Sequence, residues 1–141
     1  MARSVVPFKK WHYEWLGPAA EGAAVPVVPD EVLESMERGD SWTGVVDGDI
    51  VACAGTVQQW PGRYVAWAYL GLNSGPHMRW ITRETDKHLS KMKGRIELTV
   101  REDFEAGHRW AKLLGFEVET PCLRRFGPAG ENHVGYVRIN E

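Results

Sequence analysis

Three side chains of this 141-residue sequence have chemistry that a catalyst could use. The imidazole of His108 can take up or release a proton near neutral pH, and it lies on a predicted helix from Phe104 to Leu114. Glu97 lies mid-strand on the face opposite its apolar neighbours, where a carboxylate can act as a base. Cys53 is a thiol within an apolar run. The simpler alternatives are an exposed helix histidine, a solvent-facing carboxylate and a small apolar strand residue.

Composition and spacing exclude several classes of function. Cys53 and Cys122 lie far apart without C-x-x-C or Cys/His spacing, which disfavours a metal site and requires no disulfide. A formal net charge of −2 and a pI of about 6.2 provide no field that would attract nucleic acid or an anionic membrane. No apolar run approaches the ~20 residues of a membrane span, and the N-terminus does not resemble a signal peptide. We therefore expect a cytoplasmic protein with no metal, nucleic acid or membrane partner.

Three strands in the middle of the sequence are predicted to form an antiparallel meander. The β-branched runs Trp42–Val46 and Ile50–Val57 flank Asp47-Gly48-Asp49, which favours a tight hairpin turn. The third strand is predicted over Tyr64–Leu72, after a Pro-Gly turn. Gly71, near its end, indicates a bulge or a close approach of the backbone.

Elements of other kinds surround this meander. In order along the chain, the predictions are a first strand, a loop over Gly17–Pro29, a helix from Asp30 to Gly39, the meander, a helix from Met78 that Gly94 ends, a strand at Arg95–Val100, the helix Phe104–Leu114 with Gly115 as its C-cap, and terminal strands at Phe116–Glu119, Leu123–Phe126 and Val134–Ile139.

The strand–helix–strand crossing from Tyr64–Leu72 to Arg95–Val100 implies one parallel pair in an otherwise antiparallel sheet. We therefore expect a single α/β (α+β) domain over residues 1–141, with a mixed, mostly antiparallel central sheet flanked by helices. A sheet with a single parallel pair often splays there, and the splay provides a groove for a ligand.

The element order from Ser41 to Phe126 resembles that of the GNAT (N-acetyltransferase) superfamily. Phe104–Glu117 is similar to the family segment N-x-x-A-x-x-[FL]-Y-x-x-x-G-F, and Ala52–Gly55 resembles its G-x-[IV]-V-G-x strand. The Arg-aromatic-x-Lys-x-x-Gly pattern of Arg109–Gly115 resembles that of short phage-encoded GNAT-like proteins, including an internal virion protein.

The resemblance implies that acetyl-CoA, the co-substrate, binds beside the third meander strand, and that its acetyl group moves to an amine of a small molecule or protein. The implied cofactor-binding residues are Leu70, Gly71 and Leu72 at the strand edge, and Ser74, Gly75, His77, Met78 and Arg79 around the pyrophosphate. Of the family loop pattern [RQ]-x-x-G-x-[GA] only Gly75 is kept, and Pro76 removes one amide donor.

At three places that serve proton transfer in this family, the sequence lacks the expected residue. The tyrosine position falls on Ala111, the asparagine position falls on Phe104, and Tyr64–Leu72 contains no acid or histidine. His108, which lies near the helical face of Ala111, and Glu97 are the candidate catalytic substitutes.

Two functions therefore remain open. One is an active N-acetyltransferase; the other is a catalytically degenerate GNAT-fold structural or interaction protein, for instance a phage virion component, with a second copy of the chain or a virion protein as partner. Trp11 and Trp15 are candidates for an exposed apolar patch, whereas Tyr69 alternates with Trp67 on the third strand, which favours a buried aromatic pair.

Overall fold

The computed structural model of the protein describes residues 1–16 and 28–141. Of the loop predicted at Gly17–Pro29, residues 17–27 therefore lie outside the described residues. The strands of the described chain are β1 (Arg3–Pro7), β2 (Asp40–Val46), β3 (Asp49–Trp60), β4 (Arg63–Leu70), β5 (Gly94–Arg101), β6 (Glu117–Leu123) and β7 (His133–Asn140). Its helices are α1 (Lys10–Trp15), α2 (Asp30–Arg38), α3 (Met78–Leu89) and α4 (Glu105–Leu113), and a 3-10 turn (Gly75–His77) precedes α3.

The strands form one sheet in the order β1-β2-β3-β4-β5-β7-β6. β4 and β5 are parallel, with Arg63, Tyr64 and Val65 opposite Arg95, Ile96 and Glu97. The β1–β2, β2–β3, β5–β7 and β6–β7 pairs are antiparallel. The predicted mixed, mostly antiparallel sheet flanked by helices is therefore confirmed, including its single parallel crossing. The groove predicted beside the parallel pair stays a prediction.

The β2–β3 hairpin forms where the sequence predicts it. Asp47 and Gly48 have φ values of 48° and 86°, so both central residues adopt the left-handed conformation of a type I′ turn. The Asp47 carboxylate also accepts a hydrogen bond of 2.8 Å from the amide of Ala2. Local turn chemistry thus sets the register of these two strands.

The prediction that Gly94 ends a helix is wrong. α3 ends at Leu89, and the side-chain amide of Asn140 donates to the carbonyl oxygens of Leu89 and Met92, both at 2.8 Å. Gly94 instead begins β5, with a φ of 115°. It must be glycine because a Cβ there would lie 2.4 Å from the carbonyl oxygen of Gly62.

Two further elements differ from the sequence predictions. α1 was not predicted; its start is fixed by His12, whose Nδ1 accepts from the amide of Lys9 at 3.0 Å. The strand predicted at Phe116–Glu119 is β6, which continues to Leu123 and whose pairing with β7 shifts twice. The strand predicted at Leu123–Phe126 is wrong, because β6 ends at Leu123 and Arg124 and Arg125 form a turn. Where strand pairing is irregular, apolar and polar residues do not alternate strictly, so a prediction based on that alternation misses the continuity of the strand.

The described chain divides into two compact units. Unit 1 comprises Met1–Val57 with Ala66–His88, and unit 2 comprises Gln58–Val65 with Leu89–Glu141. The core of unit 1 contains Phe8, Leu33, Met36 and Cys53, and the buried side chains of unit 2 include those of Ile96, Tyr136 and Phe116. That residues 1–141 form a single domain stays a prediction. None of the described helices is long and apolar enough to cross a membrane.

Candidate functional site

The segment that joins β4 to α3 lies entirely in unit 1. Gly71 follows the last residue of β4 and donates its amide to the carbonyl of Val51 at 3.0 Å, which keeps it on the sheet. A Cβ at Gly71 would lie 2.6 Å from the side-chain Oδ1 of Asn73 and 3.4 Å from the carbonyl oxygen of Leu16, so the bulge or close backbone approach predicted at this glycine stays a prediction. The side-chain amide of Asn73 donates to the carbonyl of Ile50 at 3.4 Å. Leu72, which lies between Gly71 and Asn73 in the sequence, is exposed.

The 3-10 turn then leads into α3. The amide of His77 donates to Ser74 at 2.9 Å and that of Met78 donates to Gly75, while Pro76 has no N–H. Among the residues that the structure describes, the amide of Gly75 makes no hydrogen bond. A Cβ at Gly75 would meet nothing within 4 Å, so open space borders the backbone here.

The electrostatics of this turn favour an anion. The first turn of α3 contains no acidic residue, so no carboxylate of the helix itself offsets the positive end of its dipole. Arg79 is exposed on that turn. Nη2 of Arg3, in β1, lies 3.2 Å from Nδ1 of His77. Because a guanidinium only donates, Nδ1 of His77 accepts, which leaves its Nε2 as the donor in the neutral ring.

Arg3 is a residue that sequence reasoning missed. It lies 74 positions before His77, and no local signal connects the two. Its guanidinium also lies over the ring of Trp80, 5.8 Å from the centroid. The antiparallel pairing of β1 with β2 fixes this position, and it adds a positive charge to a segment that departs from the expected loop pattern.

Glu97, one of the two candidate catalytic residues, is held between arginines in unit 2. Its Oε1 accepts from Nε of Arg63 at 3.1 Å and also from Nη2 of that residue, and its Oε2 accepts from Nε of Arg95. Arg95 binds Glu119 as well. The hydrogen bonds from Arg63, and next those from Arg95, lower the pKa of Glu97. A carboxylate with a lowered pKa is a weak general base.

His108, the other candidate, has both ring nitrogens engaged in unit 2. Nε2 lies 2.9 Å from the carbonyl oxygen of Glu102, which can only accept, so this nitrogen carries the proton. Nδ1 therefore accepts from the hydroxyl of Tyr136 at 2.7 Å. Tyr136 is buried, and burial raises its pKa. The histidine is half-buried on α4 and is not the solvent-exposed residue of the simpler alternative.

Cys53 is a core residue, as its simpler explanation states. Its side chain is fully buried, and burial raises the pKa of the thiol to about 12. A thiol with that pKa is not a nucleophile near neutral pH. In the described part of the chain, no three His, Cys, Asp or Glu side chains are grouped so that they could hold a metal ion.

The fold matches solved acetyltransferase structures along the whole chain. Ard1 from Thermoplasma volcanium superimposes with a TM-score of 0.81 at 17% identity, covering 100% of this chain and 99% of that one. The ribosomal-protein-S18-alanine N-acetyltransferase from Escherichia coli gives 0.77 at 17% identity, with 99% and 96% covered. The yncA protein from Salmonella typhimurium, solved with its cofactor acetyl-CoA, gives 0.68 at 13% identity, with 100% and 95% covered.

The chain has the GNAT fold. No protein-family model and no curated protein sequence matches this sequence. At these low identities the structural likeness establishes the GNAT fold alone. The resemblance to phage-encoded GNAT-like proteins stays a prediction.

Two positions that are functional in the GNAT family have structural roles in this chain. Ala111 is buried on α4, and its carbonyl accepts the amide of Phe116 at 3.0 Å. Together with Gly115, which has a φ of 84°, this bond closes the C-terminus of α4 in a Schellman motif. Phe104 packs under Gly107, where an added Cβ would lie 2.6 Å from its ring.

Proposed function

We propose that this protein is an acetyl-CoA-dependent N-acyltransferase that moves an acetyl group to an amine of a small molecule or protein. The observation that carries the proposal is the turn before α3. It combines an unbonded amide at Gly75, open space, and a first helical turn without acidic residues, in a chain with the GNAT fold. That combination is suited to a pyrophosphate.

Unit 1 would hold acetyl-CoA along one continuous segment. The edge formed by Leu70, Gly71 and Leu72 would pair with the amides of the pantetheine arm. The pyrophosphate would lie on the backbone from Ser74 to Met78. The amide of Gly75, Nε2–H of His77 and the guanidinium of Arg79 would supply donors, which offsets the N–H that Pro76 lacks.

The transfer itself joins the amine nitrogen to the thioester carbonyl carbon and breaks the C–S bond. The amine must first lose a proton, and the leaving thiolate must gain one. We propose His108 as the residue of the two candidates better suited to carry a proton, because the partners of its ring nitrogens, the carbonyl of Glu102 and the hydroxyl of Tyr136, are uncharged. Glu97 would have to leave two arginines before it could accept one.

Calorimetric titration with acetyl-CoA tests the proposal. We expect micromolar binding by the wild type and none by Gly75→Glu, which places negative charge and bulk against the pyrophosphate. Because Cβ at this position meets nothing within 4 Å, the substitution should leave the fold intact. Leu113→Glu adds the same charge at an exposed position of α4 and should bind like the wild type. Absence of binding at millimolar acetyl-CoA would refute the proposed N-acyltransferase activity.

A second candidate, a catalytically degenerate GNAT-fold interaction protein, is favoured by Ala111 and Phe104 in place of the family's tyrosine and asparagine. An acceptor screen with wild type, His108→Ala and Glu97→Gln distinguishes the two. Turnover that falls in His108→Ala supports the enzyme with His108 as proton carrier. Failure to bind acetyl-CoA, with the fold intact, supports the interaction protein, for which Trp11 and Trp15 on α1 offer an exposed apolar surface.

A further inference from the structure

An arginine on β1 holds a histidine of the turn before α3. Nη2 of Arg3 lies 3.2 Å from Nδ1 of His77, and the guanidinium also lies over the ring of Trp80, 5.8 Å from its centroid. Trp80 is buried, so the ring that supports the guanidinium is itself held in place. Two contacts therefore fix this guanidinium, and one of them engages a specific nitrogen of His77.

The backbone around Arg3 is fixed as well. Arg3 pairs with Val46 in the β1–β2 ladder. The preceding residue, Ala2, donates its amide to the carboxylate of Asp47 at 2.8 Å, and its carbonyl accepts the amide of Asp47 at 2.8 Å. Because the backbone is held on the sheet and the guanidinium is held over Trp80, this side chain is already in position before any ligand binds.

The other ring nitrogen of His77 is available to a ligand. Nδ1 accepts from Arg3, so in the neutral ring Nε2 carries the proton. Nε2 makes no hydrogen bond in the described part of the chain and is not one of its buried unpartnered atoms, so it is open to solvent. The amide of Gly75, two residues earlier, borders open space. A side-chain donor and a backbone donor thus lie close together on an open turn.

We propose that Arg3 is a positioning residue for a diphosphate: it holds His77 by Nδ1, so that Nε2–H of His77 donates to a diphosphate oxygen. This inference rests on the proposed function, under which the diphosphate is the pyrophosphate of acetyl-CoA. An imidazole without such a contact can rotate and can place its proton on either nitrogen. Arg3 removes that freedom before binding, and a preorganised donor binds more tightly because less conformational entropy is lost.

Calorimetric titration of acetyl-CoA into variants of Arg3 tests this role. Arg3→Met keeps a long apolar side chain over Trp80 but cannot donate, and we expect the Kd for acetyl-CoA to rise about 10-fold. Arg3→Lys keeps a donor and the charge, and should raise the Kd about 3-fold or less. Arg83→Met removes the same charge one helical turn beyond Arg79, at an exposed position of α3, and should change the Kd less than about 2-fold. An equal loss in Arg83→Met and Arg3→Met would overturn the proposal, because net charge alone would then explain it.

A double-mutant cycle distinguishes positioning from direct contact with the ligand. If Arg3 acts through His77, Arg3→Met should weaken the binding of acetyl-CoA about 10-fold in the wild-type background and less than about 2-fold in the His77→Ala background. Losses that add in the double variant would mean that Arg3 contacts the ligand itself, and would overturn the positioning role.

A spectroscopic measurement follows the donor nitrogen directly. Protein labelled with ¹⁵N at its five histidines gives ring-nitrogen resonances, and their loss in His77→Ala identifies those of His77. We expect saturating acetyl-CoA to shift the Nε2 resonance of His77, and S-acetylpantetheine, which lacks the pyrophosphate, to leave it in place. A resonance that the binding of acetyl-CoA does not shift overturns the proposal.

Titrations with ADP, which carries a diphosphate without the pantetheine arm, separate this inference from the proposed function. If acetyl-CoA does not bind but ADP binds the wild type more tightly than Arg3→Met, the proposed acyltransferase fails while the positioning role of Arg3 stands. If acetyl-CoA binds the wild type and Arg3→Met equally well, the acyltransferase stands and the positioning role fails. If neither ligand binds the wild type, both proposals are overturned.

Discussion

Gly94→Ala tests the packing of β5 against the β3–β4 turn in unit 2. The residue has a φ of 115°, and the added Cβ would lie 2.4 Å from the carbonyl oxygen of Gly62 and 2.9 Å from its carbonyl carbon. The left-handed backbone costs a side chain about 1–3 kcal/mol. Forcing a methyl group into filled space costs about another 1–3 kcal/mol. We therefore expect the free energy of unfolding to fall by about 2–6 kcal/mol.

Two other glycines separate the two contributions. Gly48 has a φ of 86° but open space around its Cβ position, so Gly48→Ala should lose only the backbone contribution, about 1–2 kcal/mol. Gly75 has open space and no positive φ, so Gly75→Ala should be neutral or stabilising by about 0.4–1 kcal/mol. The expected order of stability is Gly75→Ala, then Gly48→Ala, then Gly94→Ala.

Thermal and urea unfolding of the three variants provide the assay. At about 2–4 °C per kcal/mol for a chain near this size, Gly94→Ala should melt roughly 4–24 °C below the wild type. The Arg95 amide, which donates to Gly62 at 2.8 Å, should also lose protection from hydrogen exchange. If Gly94→Ala is no less stable than Gly48→Ala, the close contact between Gly94 and Gly62 is absent.

Two further predictions concern titratable groups. Cys122 is exposed, whereas Cys53 is buried and its pKa is raised to about 12. A thiol reagent should therefore modify one cysteine in the native protein and two in denaturant. Rapid modification of both cysteines in the native protein would contradict the burial of Cys53. Burial lowers the pKa of His12, so the folded state favours its neutral form. Its contribution to stability is complete above the unfolded pKa of about 6.5 and is lost as the pH falls through the lower folded value. Between about pH 7.5 and 5 the wild type should therefore lose more thermal stability than His12→Asn, and parallel curves would refute this.

The parts of the fold that the sequence predicts correctly depend on local chemistry. Asp47-Gly48 selects its turn through φ values that few other residues tolerate, and Gly115 closes α4 through bonds within a few residues. The end of α3 could not be predicted in this way. It is capped by Asn140, which lies 51 positions from Leu89, so its position depends on a distant contact.

The same distinction applies to the candidate site. The sequence favours a buried aromatic pair at Tyr69 and Trp67; the two rings do form a pair, with centroids 5.8 Å apart, but both are only partly buried. The sequence cannot indicate that Nε1 of Trp67 lacks an acceptor among the described residues, because that depends on every neighbour in three dimensions. The approach of Arg3 to His77 is equally invisible, since strand pairing alone brings together residues 74 positions apart.

The bonding of Glu97 and His108 limits how the proposed reaction can proceed. Glu97 lies between Arg63 and Arg95, and moving it would break the hydrogen bonds that both guanidinium groups donate to it, although Arg95 would keep those to Glu119. A proton can reach Nδ1 of His108 only if the hydroxyl of Tyr136 turns away or passes its own proton on. Neither group is therefore free in the folded protein. Under the proposed function, most of the rate acceleration would come from positioning the amine against the thioester, with proton transfer left to water or to the His108–Tyr136 pair.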